Sequence, residues 1–346
     1  MSVSAGGTSA AFPYQNILII KPGAIGDLLQ LTPLIRALKQ ASPSCAITVL
    51  VGNEASREIF RNNPNVSGTL VFDRKGRHKT LPALLKLWQD IRANRFDLVL
   101  NFQRSNLKAW LLAFAALPCR ILVYHKARSR AVHAVRNYLE TIAPLGVATD
   151  DLHLEYFPDA RAQADANALL ASQASTAGPL VALNPGASHP VNRWPAQRFA
   201  ELADLLAHHA GAPVIIVGGK DDIPLADEII ENSSSKPHSF AGKTAIPVLG
   251  ALLQRCAVLV SGDTGPLHMA TAVGTPVIAL FGAADPLRTG PVGPGHRVIR
   301  ANTVACVPCR RRSCSHIQYI ACMEAISASR VFEEVASLLH PGSTRP

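Results

Sequence analysis

Short apolar runs alternate along this chain with segments whose apolar residues recur at helical spacing, and the alternation predicts the fold. Asn16–Ile20 and Ala46–Val51 read as strands, followed by strand candidates at Thr69–Phe72, Asp97–Asn101 and Ile121–Val123. Between them Leu28, Leu31, Ile35 and Leu38 share one helical face, and Leu81–Asn94 and Asn106–Ala116 also read as helices. Thr32 followed by Pro33 predicts a capped helix start, because proline at the first helical position gives up no intrahelical hydrogen bond. The stretch 159–178 predicts a helix and the connection between two halves. The pattern then restarts, with strands at Leu180–Leu183, Pro213–Val217, Val258–Ser261 and Val277–Phe281. Helices are predicted over Ala196–His208, Ile223–Glu231, Pro247–Arg255 and Pro266–Val273. Gly282–Ile326 gives no assignable pattern, and Val331–Leu339 reads as a final helix. Strands alternating with helices in this way predict an α/β protein with two parallel, doubly wound sheets.

A length of 346 residues suits two domains, each large enough to bury its own core. Apolar stretches such as Trp110–Leu117 fall well short of the roughly 20 residues needed to span a bilayer. Met1–Ala11 carries neither the basic nor the apolar region of a signal peptide, so a cytoplasmic location is expected. The net charge of +10 is unevenly placed. Residues 1–150 hold 19 Lys and Arg against 8 Asp and Glu, whereas the rest of the chain holds 15 against 16. A one-sided basic field concentrates an anionic partner, whether nucleic acid, an anionic membrane face or a phosphorylated or carboxylated substrate. A solvated basic face is the plainer alternative for any single side chain.

Three loops carry candidate chemistry. In Ser261-Gly262-Asp263-Thr264-Gly265-Pro266-Leu267-His268 a strand runs into a helix, with Asp263 or Thr264 placed to cap it. Exposed amides and the helix dipole at such a terminus favour anionic oxygens, so a diphosphate suits it. The second is Asn184-Pro185-Gly186-Ala187-Ser188 with Arg193-Trp194-Pro195, which offers amides, a hydroxyl and a positive charge beyond a strand end. Gly218-Gly219-Lys220-Asp221-Asp222 also follows a strand, and its acids suit a ribose or base. Each is an ordinary turn taken alone; three together make a nucleotide pocket.

In the basic half, Lys21-Pro22-Gly23-Ala24-Ile25-Gly26-Asp27 follows the first strand. Asp27 there either caps the following turn or accepts a proton from an attacking hydroxyl. A nicotinamide oxidoreductase would use Gly23 to Gly26 with Glu54, yet the dinucleotide glycine spacing is absent. Cys306, Cys309, Cys314 and Cys322 lie beside Arg310-Arg311-Arg312 and fit a structural metal, free thiols or redox pairs equally. Cys45, Cys119 and Cys256 sit in apolar contexts and read as core residues.

Together these motifs resemble glycosyltransferase family 9, the ADP-heptose:lipopolysaccharide heptosyltransferases, over about residues 16–335. The resemblance implies a GT-B fold, in which two Rossmann-like domains face each other across a cleft. Residues 12–165 would bind the acceptor, residues 176–328 the donor nucleotide, and residues 329–346 form a terminal helix and tail. It implies Asp27 as catalytic base on an acceptor-side loop with Lys21, Gly23 and Gly26. Donor contacts would come from Ser188, Arg193, Asp222, Thr244, Asp263, Thr264, Gly265 and His268. Asn192 departs from a lysine common in the family. The implied reaction is an inverting transfer of heptose from ADP-heptose to an anionic glycolipid acceptor, with peripheral contact at the inner face of the membrane. No Asp-x-Asp element is present, so neither a diphosphate-clamping metal nor any cofactor is expected. No nucleic acid is expected either: an anion-binding protein would explain the basic half but not the capped anion site in the neutral one.

Overall fold

The computed structural model describes residues 12–103, 106–126, 131–171 and 178–340. The start of the chain, part of the connection after Ala171 and the tail after His340 lie outside them. The first sheet contains β1 (Asn16–Ile20), β2 (Ala46–Val51), β3 (Gly68–Val71), β4 (Leu98–Asn101) and β5 (Arg120–Val123). Their order is β3-β2-β1-β4-β5. The second contains β6 (Val181–Asn184), β7 (Val214–Ile216), β8 (His238–Ser239), β9 (Val258–Ser261), β10 (Val277–Phe281) and β11 (Arg297–Arg300). Here the order is β11-β10-β9-β6-β7-β8, and neighbours in both sheets pair in parallel.

Every residue of β4, β6, β9 and β10 is buried. Helices cover both faces of a parallel sheet, so its central strands are apolar throughout rather than alternating. The exceptions are at the carboxyl ends, where Asn101, Asn184 and Ser261 are polar yet buried. Strand order reverses between β1 and β4 in one sheet and between β6 and β9 in the other. A crevice opens beyond the strand ends at such a reversal, and that is where this class of sheet takes its ligands.

The two halves are joined by a zipped segment. Arg36 pairs with Asp151 at 3.0 Å and Glu155 at 2.6 Å, and donates to the His153 carbonyl at 2.9 Å. On the other side, Tyr156 N–H donates to the Ala272 carbonyl at 3.2 Å. The helix Ala160–Ala171 then runs unbroken and packs against the helix Ile246–Gln254. Leu154 and Tyr156 are buried in one apolar core shared by residues of both sheets, Ile17 and Phe281 among them.

Three expectations need correction. Thr32 does not cap its helix: the preceding turn, Ile25–Leu29, is already helical, and Leu31 takes the cap position. The Thr32 hydroxyl instead donates to the Leu29 carbonyl at 2.8 Å and accepts the Glu155 N–H at 2.9 Å. The unassigned stretch Gly282–Ile326 contains β11, whose outer residues Arg297 and Val298 are exposed, so an edge position hides its pattern. Cys119 is half-buried rather than core, while Cys45 and Cys256 are buried. Among the described residues no helix is long and apolar enough to cross a membrane.

Candidate active site

A cavity of about 420 Å³ opens at the reversal between β6 and β9. Ser188, Arg193, Asp222, Thr244, Thr264 and Gly265 all line it, so six of the eight expected donor-side residues converge on one space. The last residues of the two strands hold its floor. Asn184 Nδ2 donates to Ser261 Oγ and to Thr264 Oγ1, both at 3.0 Å, and the two hydroxyls stand 2.9 Å apart. Thr264 in turn caps the helix Gly265–Ala272 by accepting the Leu267 N–H at 3.4 Å. The network fixes that helix with its amino end toward the cavity, the polarity an anion needs.

The opposite wall is built around Asp222, whose carboxylate accepts the Gly219 N–H at 2.9 Å. A Cβ at Gly186 would come within 2.5 Å of Asp222 Cγ, and one at Gly218 within 2.9 Å of Asp222 Oδ2, so a side chain at either position would displace that carboxylate. Arg193 donates from Nη2 to the Ala187 carbonyl at 3.4 Å. Its buried Nε and the buried Thr244 hydroxyl have no hydrogen-bond partner among the described residues. Buried polar atoms are rarely left so, and both belong to the lining of the cavity.

Across the cleft Asp27 sits in the first turn of Ile25–Leu29, beyond the carboxyl end of β1. It is no cap: Ala24 occupies that position without a side-chain hydrogen bond, and the Asp27 side chain is 44% exposed. Tyr138 Oη donates to Asp27 Oδ1 at 3.0 Å, and Lys21 Nζ stands 3.4 Å from the same oxygen and 5.0 Å over the Tyr138 ring. Burial, reinforced by the Asp27 charge, pushes the Tyr138 phenol well up, so it remains a donor. The same two causes raise Tyr124 to about 12. Both contacts fall on Oδ1. Oδ2 lies beside Gly23, where a Cβ would come within 3.1 Å of it, so glycine there keeps that oxygen open.

The halves meet between these two sites. A Cβ on Gly26 would lie 2.5 Å from His268 Cδ2, and one on Gly265 would lie 3.4 Å from Ile25 Cβ. Gln30 Nε2 is 3.3 Å from His268 Nε2, and Asp263 Oδ1 is 3.7 Å from the same nitrogen. Thr289 holds the other Asp263 oxygen at 2.8 Å. His268 therefore faces the Asp27 helix with Asp263 beside it, and neither lines the first cavity. His133 Nε2 lies 3.0 Å from the Gly290 carbonyl, while its Nδ1 accepts the Val135 N–H at 3.3 Å. That pair of contacts fits a neutral ring, and burial pushes this imidazole down. Sequence reasoning missed Tyr138, Gln30 and the bracing role of Asn184. Tyr138 lies 111 residues from Asp27, and no local motif marks it.

Residues 84–320 match glycosyltransferase family 9 (heptosyltransferase). The chain belongs to that family. Lipopolysaccharide heptosyltransferase 3 of Escherichia coli is 30% identical over 287 residues, covering 75% of this chain and 80% of that protein. Lipopolysaccharide heptosyltransferase 2 of Salmonella typhimurium is 27% identical, covering 94% and 98%. The solved family 9 glycosyltransferase from Veillonella parvula is 25% identical and superposes with a TM-score of 0.82, covering 95% of this chain and 98% of that one. This protein is accordingly an enzyme, a glycosyltransferase of GT-B architecture.

A second cavity of this glycosyltransferase, about 650 Å³, adjoins the first. Ser188, Arg193 and Thr264 line one, and their chain neighbours His189, Asn192 and Asp263 line the other. Asn192 thus lies in the wall of the second cavity, its buried Oδ1 without a hydrogen-bond partner among the described residues. The four clustered cysteines surround a space of about 20 Å³ nearby. All are free thiols, and Cys314 Sγ accepts the Ile320 N–H at 3.3 Å. Burial, with Cys306 and Cys309 adding to it, pushes the Cys322 thiol up. Among the described residues no group of three or more His, Cys, Asp or Glu is arranged to hold a metal ion.

Proposed function

We propose that this enzyme transfers a heptose from ADP-heptose to the core of lipopolysaccharide, or to a similar anionic glycan, inverting the anomeric centre. The observation that carries the reading is a capped, amide-rich nucleotide cavity placed directly across an interdomain contact from a half-exposed carboxylate. The names of the relatives agree with it. Residues 176–328 hold the donor and residues 12–165 present the acceptor.

Asp222 meets the nucleoside and Thr244 the base. Asp263 and His268 orient the sugar at the boundary between the halves. Asp27 Oδ2 takes the proton of the acceptor hydroxyl, while Tyr138 and Lys21 hold Oδ1 in place. The oxygen attacks the anomeric carbon from the face opposite the diphosphate, and negative charge grows on the departing phosphates. Arg193, Ser188 and the Thr264–Gly265 amides stabilise that charge, the preorganised electrostatics that contribute most to such steps. Closing the halves excludes water that would hydrolyse the donor. The acceptor's lipid brings the enzyme, otherwise cytoplasmic, to the inner face of the membrane.

The test is product formation. Purified enzyme with ADP-heptose and a heptose-truncated core acceptor is expected to give a product heavier by one heptose with the opposite anomeric configuration, read by mass spectrometry and NMR. Turnover with a UDP- or GDP-sugar but none with ADP-heptose would overturn the donor assignment. Asn184→Ala checks the cavity floor. It strips Thr264 of a buried partner, and is expected to cost about 1–3 kcal/mol in denaturant unfolding and to weaken ADP binding in calorimetry.

A further inference from the structure

The second cavity is charged in a way that neither the nucleotide nor a neutral sugar explains. Lys126, Arg288, Arg310, Arg311 and Arg312 line it, against the carboxylates Asp263 and Asp285. The C-terminal half has no basic excess overall, with 15 Lys and Arg against 16 Asp and Glu after residue 150, so this concentration is local. Arg288 Nε stands 3.8 Å from Asp285, and Arg311 donates to Ser315 at 2.7 Å. Among the described residues no carboxylate pairs with Lys126, Arg310 or Arg312, and all three side chains are exposed.

The arginine run is also held in place. Arg310 adopts a left-handed backbone with φ of 55°, which disfavours a side-chain-bearing residue. Its N–H is pinned to the Ala283 carbonyl at 2.7 Å, and the neighbouring Cys309 belongs to the four-thiol cluster. Lys126 comes from the other half, just beyond β5, so the cationic wall spans the cleft. Asp263 connects this wall to His268, which abuts the Asp27 helix. A donor diphosphate is already met in the first cavity by Arg193 and the helix amides, and a heptose carries no charge. The remaining substrate is the acceptor.

We propose that the second cavity is an oxyanion subsite for the acceptor. A phosphate or carboxylate on the acceptor glycan docks between Lys126 and Arg310 and Arg312, and so sets the acceptor hydroxyl toward Asp27. The inference rests on the glycosyltransfer reading with Asp27 as base. It assigns recognition of the acceptor's charge partly to the C-terminal half, beyond the basic first half alone. Charge-assisted contacts of this kind set orientation as well as affinity.

The test compares wild type, R310Q/R312Q and Lys126→Gln in transfer assays with three forms of the core acceptor: intact, phosphatase-treated and carboxyl-reduced. With intact acceptor both variants are expected to raise the acceptor KM about tenfold or more, with little change in the donor KM. Whichever treatment removes the true ligand should raise the wild-type KM to a similar degree and leave the variants indifferent, which separates phosphate from carboxylate. A second arm needs no turnover: inorganic phosphate titrated calorimetrically into ADP-saturated enzyme should bind to wild type and lose that binding in R310Q/R312Q. Variants that raise the donor KM instead, or that respond to each acceptor as wild type does, overturn the subsite while leaving heptose transfer intact. Absence of transfer with every acceptor, alongside phosphate binding that the variants abolish, counts against the function and not against the subsite.

Discussion

Asp27→Asn is expected to lower kcat by about 10²–10⁴-fold, the range a positioned general base supplies, while ADP binds as before. The substitution keeps the shape of the side chain. Tyr138 Oη, now 3.0 Å from Oδ1, can donate equally well to an amide oxygen. Lys21 loses its partner, but an ion pair with one member 44% exposed contributes little to stability. Nothing in the proposed donor cavity touches the changed atoms, since among the described residues of the first half Ile25 alone lines it. The experiment therefore separates chemistry from binding: kcat by product release, ADP affinity by calorimetry, folding by thermal denaturation. A variant that turns over within tenfold of wild type would remove Asp27 from the mechanism.

Gly26→Ala is expected to damage the enzyme for a different reason. Gly26 lies inside a helix, so its backbone needs no glycine. What fails is space, because the added methyl would sit 2.5 Å from His268 Cδ2. His268 is 5% exposed, and Gln30 and Asp263 stand 3.3 and 3.7 Å from its Nε2, so the ring has little room to retreat. Overpacking of this kind costs about 1–3 kcal/mol, and relief comes by parting the two halves. Transfer should fall at least about tenfold, since small misplacements of reacting groups carry penalties of that size and more. The control is a cycle with His268→Ala, read by denaturant unfolding. If the clash is the cause, Gly26→Ala costs much less stability once the ring is gone; equal costs in both backgrounds would refute it.

The sheets were legible because their central strands are buried on both faces and so appear as uninterrupted apolar runs. The cavity-lining loops were legible because glycine, proline and a capping residue punctuate the passage from strand to helix, as at Asp263 to Pro266. The short β8 and the exposed edge β11 lack that contrast and were missed. Thr32 misled because its local signal is that of a cap, while its hydroxyl is committed to Glu155, 123 residues away. The neighbours of Asp27 were hidden for the same reason: Lys21 is near in sequence, but Tyr138 reaches it only through the fold. Candidate chemistry was readable wherever one loop carries it, and unreadable where two distant segments share it.

The zipped segment from Asp151 to Tyr156 has a mechanical consequence. It is clamped to the first half through Arg36 and Thr32, and to the second through Tyr156 and the Ala272 carbonyl. Buried apolar packing at Leu154 and Tyr156 resists sliding of the segment. If the halves rotate about this segment, their rear stays shut, and substrates would then enter and leave at the opposite lip. Amide hydrogens around Tyr156 should consequently exchange slowly whether or not nucleotide is bound, whereas those near Gly290 should slow on loading.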